Sequence, residues 1–512
     1  MADAAPGQIR LGTPAGRWLL VGTILGTAVV FIDSTVVNVA LPSIQDDLGG
    51  GVSGLQWTID AYLLALSALI LVGGSLADLY GRRRMYVIGL IGFGIASLLC
   101  GLAPNIGTLI AARALQGVAG ALLVPGSLAI LEASFHPKDR STAIGAWTGF
   151  GGIGPALGPF IGGWLVDAAS WRWVFLVNLP FVLAAVWVAI RHVPESRGHG
   201  DVTRLDVPGS ITGALGLVGV VFALIEGPVR GWTDPVVLMA AVLGVVLLGA
   251  FLAIEARSPI AMLPLRIFRS KTFSGVNATT VAVYGALGGV FFLLIIQLQE
   301  SMGYSALEAG VASLPVTLIM LVLSPRVGRL LTRVGPKWPM TVGPLVIACG
   351  LLLMTRIEPG STYATSVLPA IVVFGLGLSC TVAPLTATAL AAVDSEHSGL
   401  ASGVNNLAAR VAQLLAVALL PFAAGLTGDD VDFTEGFHKA MYISAAMTVV
   451  GALIAFLTVP SAPLQGSDEA EGVDGDAVPV EGAEGAEPNR VPCPPGLPGC
   501  PPLDVQVPAG TG

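Results

Sequence analysis

The sequence predicts an all-α integral membrane protein that crosses the bilayer fourteen times, and three observations predict it. First, AVILMFWYC residues make up 54% of the 512-residue chain and charged residues only 11%, against roughly 25% charge in ordinary globular chains. Second, residues 85–112, 272–299 and 359–393 contain no Asp, Glu, Lys or Arg over 28, 28 and 35 positions. About 20 apolar residues are enough for a helix to cross the hydrocarbon core. Third, Lys and Arg alternate between the two sides. With the N-terminus inside, eighteen of them fall on the cytoplasmic side and four on the other, which is the bias that orients membrane helices. This composition excludes fibrous and wholly disordered chains.

The elements follow in order. Residues 1–16 form a short cytoplasmic N-terminus whose Arg10 and Arg17 precede span 1 (17–40). That span ends its apolar run in a polar Asp-Ser-Thr rather than a small-residue cleavage site, so it is expected to stay in the protein. Spans 2 to 6 fall at 55–77, 84–104, 107–131, 141–166 and 172–190, which makes 17–191 a six-helix bundle. A linker and two inserted spans (207–227 and 235–254) occupy 192–256. Residues 257–271 mix four basic residues with Met262, Leu263, Leu265, Ile267 and Phe268, as an amphipathic cytoplasmic loop at the interface would; a plain connector fits equally well. Spans 9 to 14, at 272–298, 307–327, 338–356, 364–391, 399–425 and 438–459, form a second bundle over 272–459. From Ser461 on, nine acidic residues face the single basic Arg490 among many Pro and Gly. Such a segment buries too little surface to offset its ordering entropy, so 460–512 is expected to be a disordered cytoplasmic tail.

Charges inside spans are costly in lipid and mark functional candidates. Asp33, Asp60, Arg113 and Arg410 are the four. Asp33 lies 16 residues beyond Arg17, about 24 Å along a helix, and Asp60 and Arg113 each enter their spans from outside by a turn or two. All three therefore share the outer half, which permits an Asp33–Arg113 or an Asp60–Arg113 pair. A carboxylate whose solvation and cation contacts change with movement can take up and release a proton. Arg410 has no evident acidic partner in the second half; its expected companions are Asn405 and Asn406. Glu226 reads as a boundary residue, and Asp394, Glu396 and His397 as a solvated loop. The five cysteines and five histidines show no metal-ligand spacing, and no nucleophile-base group can be assembled. Neither cofactor nor metal is expected. With an acidic balance and a membrane body, nucleic acid is not an expected partner.

A faint repeat divides the chain. Gly74-Ser-Leu-Ala-Asp78-Leu-Tyr-Gly81-Arg82-Arg83 follows span 2 and Gly328-Arg-Leu-Leu-Thr332-Arg-Val-Gly335-Pro-Lys337 follows span 10, offset by 254 residues at Gly74, Gly81 and Arg83. Related halves are the sequence mark of an alternating-access transporter. In the first copy, Asp78 stands one turn from a basic cluster and can latch that end of the bundle, while the cluster alone can serve topology. Span 5 carries Gly154, Pro155, Gly158, Pro159 and Gly162; glycines four apart let another helix come close, and prolines remove ladder hydrogen bonds.

At these residues the chain resembles the major facilitator superfamily. Gly74–Arg84 looks like its signature loop, Gly149–Gly163 like the fifth-helix motif of its antiporters, and Asp33-Ser-Thr-Val-Val-Asn38 and Arg113-Ala-Leu-Gln116-Gly117 like motifs of its fourteen-span drug:proton antiporters. The resemblance implies the major facilitator fold, two six-helix bundles plus two inserted helices. It also implies proton-driven export of small amphipathic compounds such as antibiotics, with protons and the lipid bilayer as the other partners and a monomer as the working unit. Asp33 and Arg113 would couple protons, Gly74, Asp78, Gly81, Arg82 and Arg83 would form the cytoplasmic gate, and Gly154, Pro155, Gly158, Pro159 and Gly162 the hinge. Asp60 stands where many relatives have an uncharged residue, so its place as a proton or cation site comes from its depth in span 2 and not from the resemblance. Two acids bias the cavity weakly towards cations. A proton-coupled importer or facilitator, and a non-transporting receptor or scaffold using the tail, are the alternatives. Thr332 and Leu79 depart from the signature pattern and imply a weaker second gate.

Overall fold

The computed structural model describes residues 9–197, 206–258, 263–393, 398–426 and 432–462. The described chain is helical throughout apart from one isolated bridge between Ile9 and Phe135. The helices are α1 (Pro14–Leu48), α2 (Gly51–Tyr80), α3 (Arg82–Gly101), α4 (Ile106–Ser134), α5 (Pro137–Ala168), the single turn α6 (Trp173–Leu176), α7 (Asn178–His192), α8 (Val207–Arg230) and α9 (Pro235–Arg257). They continue as α10 (Lys271–Ile296), α11 (Ala306–Val334), α12 (Lys337–Met354), α13 (Leu368–Ala391), α14 (Ser398–Ala423) and α15 (Phe433–Thr458). Twelve helical stretches among the described residues are long and apolar enough to cross a membrane. In α2 the parts Gly51–Ile70 and Val72–Tyr80 meet at 51°, and counted as one span they make a thirteenth.

Helix ends are set by local chemistry. Thr13 accepts from the Gly16 N–H and Pro14 opens α1, where a missing donor costs nothing. Asn105, Asp234, Ser270 and Asp432 cap α4, α9, α10 and α15 in the same way, and Ser305 with Glu308 forms a capping box on α11. The helices outrun the expected spans because these caps lie beyond the apolar runs.

The packing scheme repeats. In the first group α1 packs on α5 and α7, α4 on α2 and α3, and α3 on α7. In the second, α10 packs on α14 and α15, α13 on α11 and α12, and α12 on α15, element for element the same pattern. The contacts between groups repeat as well: α5 meets α11 as α14 meets α2. The 254-residue repeat recurs in backbone detail. Gly81 ends α2 at φ 109° with its N–H on the Ala77 carbonyl, and Gly335 ends α11 at φ 78° with its N–H on the Leu331 carbonyl. Both need the left-handed region that glycine enters without penalty.

The hairpin α8–α9 stands apart, touching α2 and α14 through α8. Only 11% of the most apolar window of α9 is buried, so its remaining surface faces lipid. In the loop expected to be amphipathic, 259–262 lie outside the described residues, and Leu265–Arg269 is one turn of 3-10 helix. Leu263, Ile267 and Phe268 pack against buried Phe273, Ala401 and Val404, so the apolar side of this loop is spent on protein. The acids expected in the loop before α14, Asp394 and Glu396 with His397, and the tail from residue 463, lie outside the described residues.

Candidate functional site

Asp33 and Arg113 meet. On α1 the buried positions Val29, Val30, Asp33, Val36, Val37 and Ala40 form one helical stripe, and on α4 Leu109, Ala112, Arg113, Gln116, Gly117 and Gly120 form another. Side chains three and four apart share a face, so each ionisable group is carried inward with its apolar neighbours. Arg113 Nη1 donates to Asp33 Oδ2 at 2.5 Å, with both side chains no more than 1% exposed. The other carboxylate oxygen accepts from Gln116 Nε2 at 2.8 Å and Asn178 Nδ2 at 2.9 Å. Arg113 also donates to Gln116 Oε1 at 2.7 Å and, through Nε, to the Thr58 carbonyl at 3.0 Å. Asn178 donates to Ser97 Oγ, which donates to the Phe175 carbonyl. The Tyr62 ring covers the guanidinium at 4.3 Å.

Desolvating an ion pair is repaid only when its remaining donors and acceptors are satisfied; here side chains of α1, α3, α4 and α7 satisfy them. Gly117 makes this possible: a Cβ there would stand 2.4 Å from the Tyr62 carbonyl, so only glycine lets α4 approach α2 closely enough for Arg113 to reach Thr58. Sequence reasoning missed Ser97, Asn178 and Tyr62 and left Gln116 as a motif letter. Ser97 lies inside the charge-free run 85–112, where an isolated polar residue was the available signal.

Asp60 is fully buried, and neither of its oxygens has a hydrogen-bond partner among the described residues. It does not pair with Arg113. One turn earlier, Gln56 donates across to α14, to the carbonyls of Val417 at 2.8 Å and Ala418 at 3.1 Å. Pro421, four residues after Val417, has no N–H to give that carbonyl, and Gln56 fills the vacancy. Asp60 shares this helix face.

The hydrogen bonds described between the two groups lie at the end that carries Gly49, opposite Gly81. Besides Gln56, Gln299 donates to the Val39 carbonyl at 3.0 Å. At the end of α5, Asp167 accepts from Ser305 Oγ at 2.7 Å and from the N–H groups of Leu307 at 2.9 Å and Ala306 at 3.2 Å, placing an anion on the N-terminus of α11. Glycines let α5 come close on two sides. A Cβ at Gly158 would stand 2.1 Å from Thr35 Oγ1 and one at Gly162 2.6 Å from Val36. One at Gly163 would stand 2.5 Å from the Ala306 carbonyl, and one at Gly310 would stand 2.2 Å from the Pro159 carbonyl. Gly154 and Pro155 belong to the same continuous helix; their surroundings are outside the described contacts.

At the other end, Asp78 accepts from Arg82 Nε at 2.8 Å, and Arg82 Nη1 donates to the Ala129 carbonyl on α4 at 3.0 Å. Glu195, which sequence reasoning passed over, caps α3 by accepting from the N–H groups of Arg83 and Arg84 at 3.0 and 3.2 Å. A Cβ at Gly81 would meet this carboxylate at 2.8 Å. Gly74 crosses α4 at Pro125, where a Cβ would make ordinary 3.5 Å contact. Glu226, expected as a boundary residue, pairs with Arg230 at 2.7 Å and accepts from Trp57 Nε1 at 2.9 Å.

Arg410 departs from expectation. Neither asparagine partners it: Asn405 donates to Thr280 Oγ1 and Asn277 on α10, and Asn406 bonds the Ser402 carbonyl of its own helix. The first is five residues away and so on another face; the second shares the face but its short amide turns back on the backbone. The Arg410 guanidinium instead lies 6.0 Å from the Phe31 ring on α1. Among the described residues no three His, Cys, Asp or Glu converge as a metal site.

Two groups of helices with one packing scheme, joined at one end around buried charge, define a membrane transporter. The chain matches the Major Facilitator Superfamily over residues 23–417 and belongs to it. It is 41% identical over 465 residues, 88% of this chain and 92% of the relative, to the puromycin resistance protein pur8 of Streptomyces alboniger. The multidrug resistance protein Stp of Mycobacterium tuberculosis (strain CDC 1551 / Oshkosh) is 36% identical, covering 78% of this chain and 74% of its own. The probable actinorhodin transporter of Streptomyces coelicolor (strain A3(2)) is 35% identical, covering 80% and 74%. Among solved structures, a bacterial homologue of the human lysosomal transporter Spinster in an inward-facing, unoccupied conformation superposes with a TM-score of 0.64 at 18% identity, over 87% of this chain and 97% of that one. The peptide transporter POT with sulfate gives 0.65 at 15%, over 89% and 96%. At such identities the likeness is one of fold.

Proposed function

We propose that this protein is a proton-coupled antiporter that exports small amphipathic compounds, antibiotics among them, across the cytoplasmic membrane. In this reading fourteen helices cross the bilayer, as bundles over 17–191 and 272–459 with two helices inserted between, and a single chain is the working unit. Both termini are cytoplasmic, as the Lys and Arg distribution requires. The Gly81 end is then the inner end and the Gly49 end the outer one. With its cross-group hydrogen bonds gathered outside, the structure is closed to the exterior and able to load from the cell.

The observation that carries the reading is the pair of buried carboxylates with opposite surroundings. Asp33 accepts from one guanidinium and two amides; Asp60 has no donor among the described residues. A buried anion without donors is costly, so proton release from Asp60 requires α2 to move against α14, which is the motion that opens the outer end. Protonating Asp33 removes the charge that Arg113 holds and loosens α1 from α4. Asp78 and Arg82, with Gly74, Gly81 and Arg83, brace the inner end, and α5, including Gly154 and Pro155, flexes at its glycines and prolines. That several relatives are named for resistance or export supports the outward direction.

Everted membrane vesicles test this directly. An exporter loads puromycin into them while dissipating an imposed inside-acid pH gradient. Loading that ignores the gradient would refute antiport.

A further inference from the structure

Asp33, Asp60, Arg113 and Arg410 are charged side chains set deep in the spans, and three of these four are sealed: Asp33 and Asp60 at 0% exposure and Arg113 at 1%. Asp33 is neutralised by Arg113, and Asp60 shows no face to solvent. Arg410 alone of the four keeps partial exposure. No ion pair engages it among the described residues, and its nearest ring, Phe31, belongs to the opposite group of helices. The hydroxyls of Tyr62 on α2 and Tyr284 on α10 lie within electrostatic reach of it. Phe31 and Tyr284 are themselves half-buried. The charge that the seam between the groups presents is therefore positive and bordered by aromatic rings, contrary to the cationic bias that two acidic residues imply in the sequence.

A guanidinium is ionised at every relevant pH and carries five donors in a planar fork that matches a carboxylate. Held at mid-membrane depth without a counter-charge, it is costly unless something supplies acceptors. From this geometry we infer that Arg410 is the recognition point for an acidic oxygen, a carboxylate, phenolate or enolate, on a planar aromatic compound whose rings pack against Phe31 and Tyr284. Compounds that carry such an oxygen are then bound more tightly than those that do not. Tyr62 connects this point to the coupling network, because its ring also covers the Arg113 guanidinium at 4.3 Å. An anion drawn to Arg410 changes the field at Tyr62, whose ring also meets the Arg113 guanidinium that donates to Asp33. This deepens the export reading and rests on it.

The test uses two xanthene dyes of similar shape and opposite charge, fluorescein and rhodamine 6G. Each is titrated by fluorescence anisotropy against the full-length protein in nanodiscs of zwitterionic lipid, with empty discs as the blank. The wild-type protein should bind fluorescein more tightly than rhodamine 6G. Arg410→Gln should weaken fluorescein at least tenfold and leave rhodamine 6G unchanged or tighter, and Arg410→Lys should recover part of the loss. Phe31→Ala should weaken both dyes alike, because stacking does not read charge; it also shows that the site tolerates substitution. Equal weakening of both dyes by Arg410→Gln, no weakening of either, or tighter wild-type binding of rhodamine 6G would overturn the inference, as would a wild-type protein that fails to bind fluorescein. Wild-type puromycin loading in vesicles reports on export independently, so the two readings can fail separately.

Discussion

Replacing Asp33 by Asn keeps the shape of the side chain and removes only its charge and one acceptor. All three groups around it, Arg113 Nη1, Gln116 Nε2 and Asn178 Nδ2, are donors. Whichever way the new amide turns, its NH2 faces a donor, and Arg113 is left buried at 1% exposure without a counter-charge. Removing one partner of a buried pair costs about 3–5 kcal/mol. Arg113→Ala leaves the carboxylate with two amides and strips the Tyr62 face, for a similar loss of about 3 kcal/mol. In the double variant the amide can turn its oxygen to Gln116 and Asn178 with no donor left opposite its NH2. Its loss should therefore fall short of the sum of the singles by about 2 kcal/mol. Unfolding in mixed dodecyl maltoside and SDS, followed by helical circular dichroism, measures all four stabilities. Additivity within about 0.5 kcal/mol would refute the energetic pairing. In proteoliposomes each single variant should also abolish substrate-driven proton movement, whereas ligand binding by Asp33→Asn with the wild-type pH dependence would move the coupling role to Asp60.

Other substitutions separate the remaining parts. Asp60→Asn removes no hydrogen bond and should change stability by less than about 1 kcal/mol, yet flatten the pH dependence of transport; an unaltered profile would exclude it from coupling. Gly310→Ala drives a methyl into the Pro159 carbonyl, so α5 and α11 must part, and a cysteine introduced at Ser305 should react faster with a membrane-impermeant maleimide. Arg82→Ala breaks a partly exposed pair worth about 0.3–1 kcal/mol and one bond to the Ala129 carbonyl, so turnover should fall without being abolished. Asp139 is held below its ordinary value of 3.8, first by the Leu11 N–H and then by Arg10. A depressed carboxylate gives stability that is present above the unfolded value and lost as pH falls through the folded one. Hydrogen exchange should therefore find the Leu11 amide protected at neutral pH and exposed only below 3.8, and unprotected throughout in Asp139→Ala, which has no side-chain acceptor.

The helices were readable because hydropathy and charge act locally, and each long apolar run became one. The shared depth of Asp33 and Arg113 was readable for the same reason, since depth is a count of residues from a topological mark. Which helices touch is a different kind of fact. It was the small residue at Gly117, not the charge of Arg113, that drew α4 onto α2, and Asp60 was excluded because it shares the Gln56 face towards α14. Asn178 and Glu195 went unread because a single amide after a short turn, or an acid in a loop, carries no periodic signal; their roles come from the helices they happen to meet. Arg410 was misassigned to sequence neighbours because its surroundings come from the other half of the chain.

The α8–α9 hairpin leans on one of two equivalent seams. Trp57 and Glu226 fasten it to α2, and Trp232 lies 5.2 Å from Phe422 on α14, so it stands across the α2–α14 seam like a screen between that seam and the acyl chains. Its counterpart, the α5–α11 seam, has no inserted hairpin beside it among the described residues. A pseudo-twofold body is thereby made one-sided towards the bilayer. Among the described residues the α5–α11 seam is therefore the flank where the two groups meet bare, and the α2–α14 seam the one where they meet behind two further helices.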